Sequence, residues 1–427
     1  MTTPEQEQVV TAKRPMPPGG LRVRNMLMVA HGFEHIISNF LPPLFVFIHN
    51  DLGFSYTQLG VIVAVASITS AFFQLPAGLL VDRLGPKRVL LGGYLFTFVG
   101  LFLLSRSNLF PMFVLAQVIY GIGYATYHPA SFTDVARVSQ RSGLGMGMAM
   151  HDVGGNLGAA AGYSISAFLA TWFGWRNAIG SIVMLGVFWV VVFSFLYPDD
   201  GRPSKPPARI PREEDVSIES EEKQPSFESW LSVALVALVA LLAAIFGIGA
   251  MAFFPTFFVT TRGVSPAIAG LFSTILMLSG AGGSLVGGGL GDRYDRPRIM
   301  LLSAILTTSI VYILVRISVS TPVLIILIIA LGFSQCMARP CLDATVSEIS
   351  PVGRSGSTYG IVFGVVALGG AAAGPLVGYL TDQYSIGLGF TVISVSFLLH
   401  GILIYGFRNS SILKKKGEDF GRDSEIS

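Results

Sequence analysis

The sequence predicts an all-α membrane protein of twelve spanning helices, arranged as two pseudo-symmetric six-helix bundles. Three observations predict it. First, only 12% of the 427 residues are charged and 52% are hydrophobic, whereas a soluble globular chain carries about 25% charged residues. Second, a bilayer core needs ~20 apolar residues per helix. Runs of that kind recur near 25–49, 57–81, 88–106, 109–136, 143–171, 175–197, 229–260, 265–291, 298–318, 321–347, 355–381 and 385–408. Third, the motif GLLVDRLGPKR at Gly78–Arg88 returns in weakened form as GGGLGDRYDRPR at Gly287–Arg298. Gly60 precedes Asp82 by the interval that separates Gly270 from Asp292, and Gly78 stands to Asp82 as Gly288 stands to Asp292.

The elements follow in order. Residues 1–24 form a polar, Pro-containing tail expected on the cytoplasmic side, and the first apolar run is too long for a cleavable leader. Residues 25–197 make the first bundle. Pro198, Pro203, Pro206, Pro207, Pro211 and Pro225, among mixed charges, mark 198–228 as a solvated linker. Residues 229–408 make the second bundle, and 409–427 a cytoplasmic tail. Lys and Arg set the orientation. With both termini inside, only Arg106, Arg176, Arg262 and Arg316 fall outside, and apart from Arg339 within a span the remaining bases, Lys87, Arg88, Arg137 and Arg298 among them, fall inside. A multi-pass protein of the plasma (inner) membrane is expected. The two cysteines, Cys336 and Cys341, both lie in an apolar run and imply no disulfide framework.

The repeat extends beyond the turn. GAAAG occurs at Gly158–Gly162 and again at Gly370–Gly374, and FLP at Phe40–Pro42 matches FFP at Phe253–Pro255. Paired membrane halves of this kind are the architecture of transporters.

On these residues the chain resembles the major facilitator superfamily over about 20–410. Gly78, Asp82, Arg83, Gly85 and Arg88 stand at the spacing of that superfamily's signature between helices 2 and 3. Within it, His128–Gly158 (HPASFTDVARVSQRSGLGMGMAMHDVGGNLG) is similar to the bacterial fosmidomycin-resistance group of efflux proteins. The resemblance implies alternating access between two bundles, driven by a proton gradient. It also implies the major facilitator fold and action as a monomer. The fifth span departs from the pattern of proton antiporters: Tyr163 stands where a Gly-Pro step would, and that step appears instead at Gly374–Pro375.

Several side chains carry candidate chemistry. In the first span, HGFEHIISN places His31, Glu34, His35 and Ser38 on one helical face, with Asn39 beside it. A glutamate in hydrocarbon costs a few kcal/mol and normally faces a cavity or a partner. Beside imidazoles it can load and release a proton near neutral pH. The rival reading is a static Glu34–His brace between helices. Asp152 in the fifth span is a second proton carrier, tuned by His151 or His128. His128 precedes Pro129, so its ring could instead bond to backbone freed by that proline.

HGFEH also fits H-x-x-E-H, a zinc-peptidase pattern. It supplies no third ligand by itself, and no metal, cofactor or enzymatic activity is expected. A metal-ion transport site at His31, Glu34 and His35 is the less remote reading of the same residues.

Arg339, before Pro340, occupies the place of His128 in the repeat. Its guanidinium would take a substrate anion, or pair with Asp343 or Asp152. Gln335, Asn156, Asn39, Tyr124, Tyr127 and Tyr359 are further substrate-contact candidates, with ordinary interhelical hydrogen bonding as the alternative. Gly78, Asp82, Arg83, Gly85, Arg88, Asp134, Arg137, Asp292 and Arg293 would gate the inner side. The competing reading makes the bases among them topology signals only.

The sequence thus leads to a secondary active transporter of a small organic solute, drug-like or anionic, expected to work by proton-coupled efflux. Uptake of an organic anion nutrient is the alternative. The partners expected are that solute, protons and lipid, with no nucleic acid.

Overall fold

The structure is a computed structural model describing residues 20–138, 144–198, 227–291, 293–350 and 355–408. Helices make up all the long elements: α1 (Gly20–Ser38), a 3-10 turn (Pro42–Leu44), α2 (Phe45–Leu52), α3 (Tyr56–Leu84), α4 (Pro86–Arg106), α5 (Phe110–Val138), α6 (Leu144–Phe173) and α7 (Trp175–Leu196) in the first half. The second half holds α8 (Phe227–Arg262), α9 (Pro266–Gly291), α10 (Arg296–Arg316), α11 (Thr321–Ile349), α12 (Ser355–Gln383) and α13 (Ile386–Phe407). α1 and α2 together make one crossing, so the chain crosses twelve times in two six-helix bundles. Both described ends, Gly20 and Arg408, therefore lie on the side of the linker. That side is called the linker side below, and the opposite one the distal side.

Ten helices are long and apolar enough to span a bilayer among the described residues. The two other crossings, α1–α2 and α6, are the ones that carry Glu34 and Asp152. Polar residues at these positions lower the hydropathy of the very segments that carry candidate chemistry.

Local signals set the helix ends. Ser55 and Gln58 form a capping box at the start of α3, with Gln58 N donating to Ser55 Oγ at 3.2 Å and Ser55 N to Gln58 Oε1 at 2.9 Å. Gly85 ends α3 with φ 82°, a conformation that penalises any residue bearing a Cβ. Pro86 then starts α4 at a position where a missing amide costs nothing.

One expectation fails. The run 25–49 is not one helix: α1 stops at Ser38, and the chain restarts through Pro42 and Pro43. Two adjacent prolines remove two amide donors and clash with the preceding turn. Pro255, the matching position in the second half, stands alone inside the unbroken 36-residue α8. One lost donor is tolerated where neighbouring helices and side chains compensate. The FLP and FFP segments therefore correspond in sequence but not in local structure.

The bundles meet in their distal half. The Cβ position of Gly60 on α3 falls on the Gly374 carbonyl of α12, and that of Gly378 falls on the Tyr56 carbonyl. On the other edge, Gly270 of α9 lies against Tyr163 and Ala167 of α6. Ser164 Oγ and Thr274 Oγ1 are 2.7 Å apart, and Tyr163 OH donates to Met251 O at 3.3 Å. Phe45 of α2 packs on Phe253 of α8 with centroids 5.4 Å apart. Asp382 at the end of α12 accepts from Tyr56 N (2.8 Å), Thr57 N (2.7 Å) and Thr57 Oγ1 (2.6 Å), which ties it to the N-terminus of α3.

Towards the linker side the bundles part. On the face of α3 that begins with buried Gly60 and Ala64, the residues further along, Ile68, Phe72 and Leu75, are exposed. Phe363, on the face of α12 that carries Gly374, is exposed too. The conformation is closed on the distal side.

Candidate functional site

The site begins with close backbone packing. The Cβ positions of Gly154 and Gly158 on α6 fall on the carbonyls of Met28 and Gly32 on α1, and that of Gly155 falls on the His31 ring. Three small residues thus let α1 lie directly on α6. His31 stacks on His151 with centroids 3.8 Å apart and an interplanar angle of 19°.

His31 is fixed by one contact. Its Nδ1 lies 2.8 Å from the His151 carbonyl. A carbonyl only accepts, so Nδ1 carries the hydrogen and Nε2 presents its lone pair. That Nε2 is buried with no hydrogen-bond partner. His35 and His128 both meet His31 edge-on, at centroid distances of 4.5 and 5.6 Å. Glu34 is buried, its Oε2 has no hydrogen-bond partner, and the His35 Nε2 lies 3.9 Å from it. Donor atoms of His31, Glu34, His35 and His128 all lie within 4.8 Å of one another.

A second line of contacts runs through α5. Tyr127 OH donates to Leu27 O at 3.0 Å and lies 3.3 Å from His151 Nε2. With its own hydrogen on Leu27, the phenol accepts from His151 Nε2–H. The His151 Nδ1 then faces Asp152, 3.9 Å from Oδ1. His128 does not bond to freed backbone: its Nδ1 is buried without a partner and its ring faces His31.

Asp152 and Asn156 are exposed, yet they share a helical face with Tyr163, which meets the other bundle. They face the space between the bundles rather than lipid. Arg339 of α11 is exposed and lies within electrostatic reach of both His35 and Asp343. Gln335, one turn away, is half-buried with Oε1 unpartnered. Tyr124 lines a small void with Glu34, Tyr94 and Thr97, with room for about one water molecule.

Other substrate-contact candidates are placed differently. Tyr127 is buried and bonded within the first bundle, so it braces the histidines instead of lining the gap. Asn39 Nδ2 donates to His35 O at 2.9 Å, satisfying a carbonyl where α1 ends. The side chain of Tyr359, and Asp292, lie outside the described residues.

The gate candidates fall into two groups. Asp134, buried, accepts from Arg137 Nε at 2.6 Å and from the Tyr197 hydroxyl. Lys87 Nζ adds a bond to Tyr197 O at 2.8 Å. This knot ties α4, α5 and α7 together within one bundle. Asp82, Arg83 and Arg88 are exposed around the turn closed by Gly85, while Gly78, half-buried, has open space at its Cβ position. Arg293 is exposed at the corresponding turn of the second half. There, Arg296 pairs with Glu348 at 2.6 Å.

Sequence reasoning missed Tyr197, Glu348, Asp382 and the Ser164–Thr274 pair. Only Asp382 carried a usable signal, because the Ser55–Gln58 box marks a helix N-terminus able to receive a carboxylate.

Comparison with known proteins fits this architecture. The sequence pattern of the Major Facilitator Superfamily matches residues 27–265 and 236–423. The "Fosmidomycin resistance protein" of Escherichia coli (strain K12) is 24% identical over 388 residues, covering 89% of this chain and 91% of that protein. The "Probable nitrate transporter NarT" of Staphylococcus epidermidis is 26% identical over 335 residues, covering 77% and 81%. The crystal structure of a bacterial homolog of the human lysosomal transporter Spinster, inward-facing and unoccupied, superposes with a TM-score of 0.75 at 14% identity. It covers 92% of this chain and 97% of that one. The related proteins are transporters, not enzymes. With two half-chain repeats, a distal closure between bundles and matches spanning nearly its whole length, this chain belongs to the Major Facilitator Superfamily and is a multi-pass membrane transporter.

Proposed function

We propose that this transporter moves a small organic solute outward across the plasma (inner) membrane in exchange for protons, acting as a monomer with the linker side in the cytoplasm. One observation carries the reading: Glu34 is buried among three histidines with one carboxylate oxygen lacking a hydrogen-bond partner, and its neighbour His31 stacks on His151, which faces Asp152 at the gap between the bundles. A carboxyl so placed is costly unless it exchanges a proton or a ligand. Protons would pass between the gap, where Asp152 stands, and Glu34 by way of the part-exposed His35, whose Nε2 lies 3.9 Å from the carboxylate. Arg339, Gln335, Asn156 and Tyr124 would contact the solute. Asp82, Arg83, Arg88, Arg293 and the Asp134–Arg137 pair would hold the linker side shut in the opposite conformation, in which the distal contacts at Gly60 and Gly270 separate.

Flux into proteoliposomes driven by a pH gradient tests this. Glu34→Gln and Asp152→Asn should each abolish gradient-driven flux while leaving the protein folded. Full gradient-driven flux in both variants would overturn the proton assignment. Arg339, exposed beside His35, favours a second reading, uptake of an organic anion. A deletion strain distinguishes the two: loss of resistance to a toxic compound supports efflux, and loss of growth on one carbon source supports uptake.

A further inference from the structure

Four of the chain's six histidines, His31, His35, His128 and His151, gather at one place. Proton exchange at Glu34 requires one carboxyl and a path. It does not require three imidazoles converging on that carboxyl with their donor atoms within 4.8 Å. We propose that His31, Glu34, His35 and His128 form a binding site for one divalent transition-metal ion of the borderline class, such as Zn2+ or Co2+.

Each property of such a site is present. The donor set is three nitrogens and one carboxylate oxygen, the chemistry that borderline ions prefer. His31 and His35 stand one turn apart on α1 with Glu34 between them. His128 on α5 supplies the ligand that the H-x-x-E-H pattern of α1 lacks. Metal–nitrogen bonds of about 2.0–2.1 Å put tetrahedral donors roughly 3.4 Å apart. Contraction from 4.8 Å needs only side-chain adjustments of a fraction of an ångström to about one ångström.

The supporting contacts fit as well. A ligating histidine usually donates its other N–H to a carbonyl or carboxylate, which fixes the tautomer. His31 does this towards the His151 carbonyl at 2.8 Å, and its Nε2 is left buried and unpartnered. His31 is 4% exposed and Glu34 5%. Glu34 Oε2 and His128 Nδ1 are likewise buried without partners. Unpaired buried polar atoms are rare, and three of the four residues in this group carry one. An entry route exists: the His35 side chain is 27% exposed, and Asp152 stands at the gap beside the cluster. The site does not depend on the proposed proton coupling, although a bound ion would compete with protons for the same atoms.

Cobalt(II) binding by detergent-purified protein, with any affinity tag removed, tests this without transport or a pH gradient. The wild type should take up one Co2+ per chain, show the intense visible absorption of a tetrahedral centre, and melt at a higher temperature with the ion than without it. Glu34→Gln and the double variant His31→Gln/His128→Gln should lose the absorption and weaken binding at least tenfold. His49→Gln, remote from the cluster, should bind as the wild type does. No uptake by folded wild type, only the weak absorption of an octahedral ion, or equal binding by wild type and both cluster variants would overturn the site. A protein that binds cobalt but shows no gradient-driven flux keeps the metal site and loses the proton reading.

Discussion

The first crossing of each half shares the FLP/FFP segment yet is a different object in the two halves. In the first half it breaks after Ser38 and carries Glu34 with His31 and His35. In the second half α8 runs unbroken from Phe227 to Arg262, and Phe246, Phe253, Phe254, Phe257 and Phe258 are buried along it. The small-residue framework of the repeat survives: Gly60 and Gly270 hold equivalent seams between bundles. Duplication kept the packing surfaces and let the chemistry diverge. In the proposed reading the first bundle handles the ion and the second contributes Arg339.

That division is open to attack, beginning with its chemistry. Glu34→Gln should reduce gradient-driven flux by about 10²-fold or more, the scale of losing a proton-transfer group. A flux assay with a comparably damaging apolar-to-polar change on α8 would break the contrast. The shared framework comes next. Gly60→Leu and Gly270→Leu should each cost the distally closed state about 1–3 kcal/mol through overpacking. Spin-label distances across α3–α12 and α6–α9 should show the distal side opening in both variants. Opening in only one would show that the two seams are not equivalent.

The linker-side knots sharpen the comparison further. Asp134→Ala strands the buried Tyr197 hydroxyl and should destabilise the protein by about 1–3 kcal/mol in thermal unfolding. Glu348→Ala removes the partner of Arg296 in the second half, but at an ion pair whose carboxylate is 38% exposed. It should cost under about 1 kcal/mol. Asp382→Asn weakens the carboxylate's hold on the α3 N-terminus, by about 0.5–2 kcal/mol on the scale of a helix cap, and should loosen the α3–α12 distance alone.

The smallest effect belongs to the distal rim. A hydrogen bond from Trp175 (3.0 Å), together with Arg176 (2.5 Å), holds the Asp51 carboxyl below its ordinary range. Its contribution is therefore complete above the unfolded carboxyl value and disappears as pH falls through the lower folded one. Melting temperature should show a slight extra fall below about pH 4. Asp51→Asn should remove it, and the magnitude is small because the pair is solvated.

The repeat, the spans and the polar face of the first crossing were legible because periodicity and composition are local properties. What escaped depends on distant partners. The break after Ser38 was hidden because Pro42 and Pro255 look alike singly, while only the Pro42–Pro43 pair removes two donors in succession. Tyr127 and Asn39 are polar residues beside a polar site, yet their hydrogen bonds end on Leu27 and His35. Direction of the side chain, not its type, decided their placement. Asp134 also bonds to Tyr197, sixty-three residues away, a partner that no sequence rule indicates.

The interruption after Ser38 has a mechanical consequence. A continuous rod transmits bending from end to end, whereas two rods joined by a short proline-stiffened link transmit far less. α2 can tilt against α8 as the distal seam separates, while α1 stays clamped to the glycines of α6. The imidazole stack would then keep its register through the rocking cycle, so that the same few atoms meet whatever binds there on either side of the membrane.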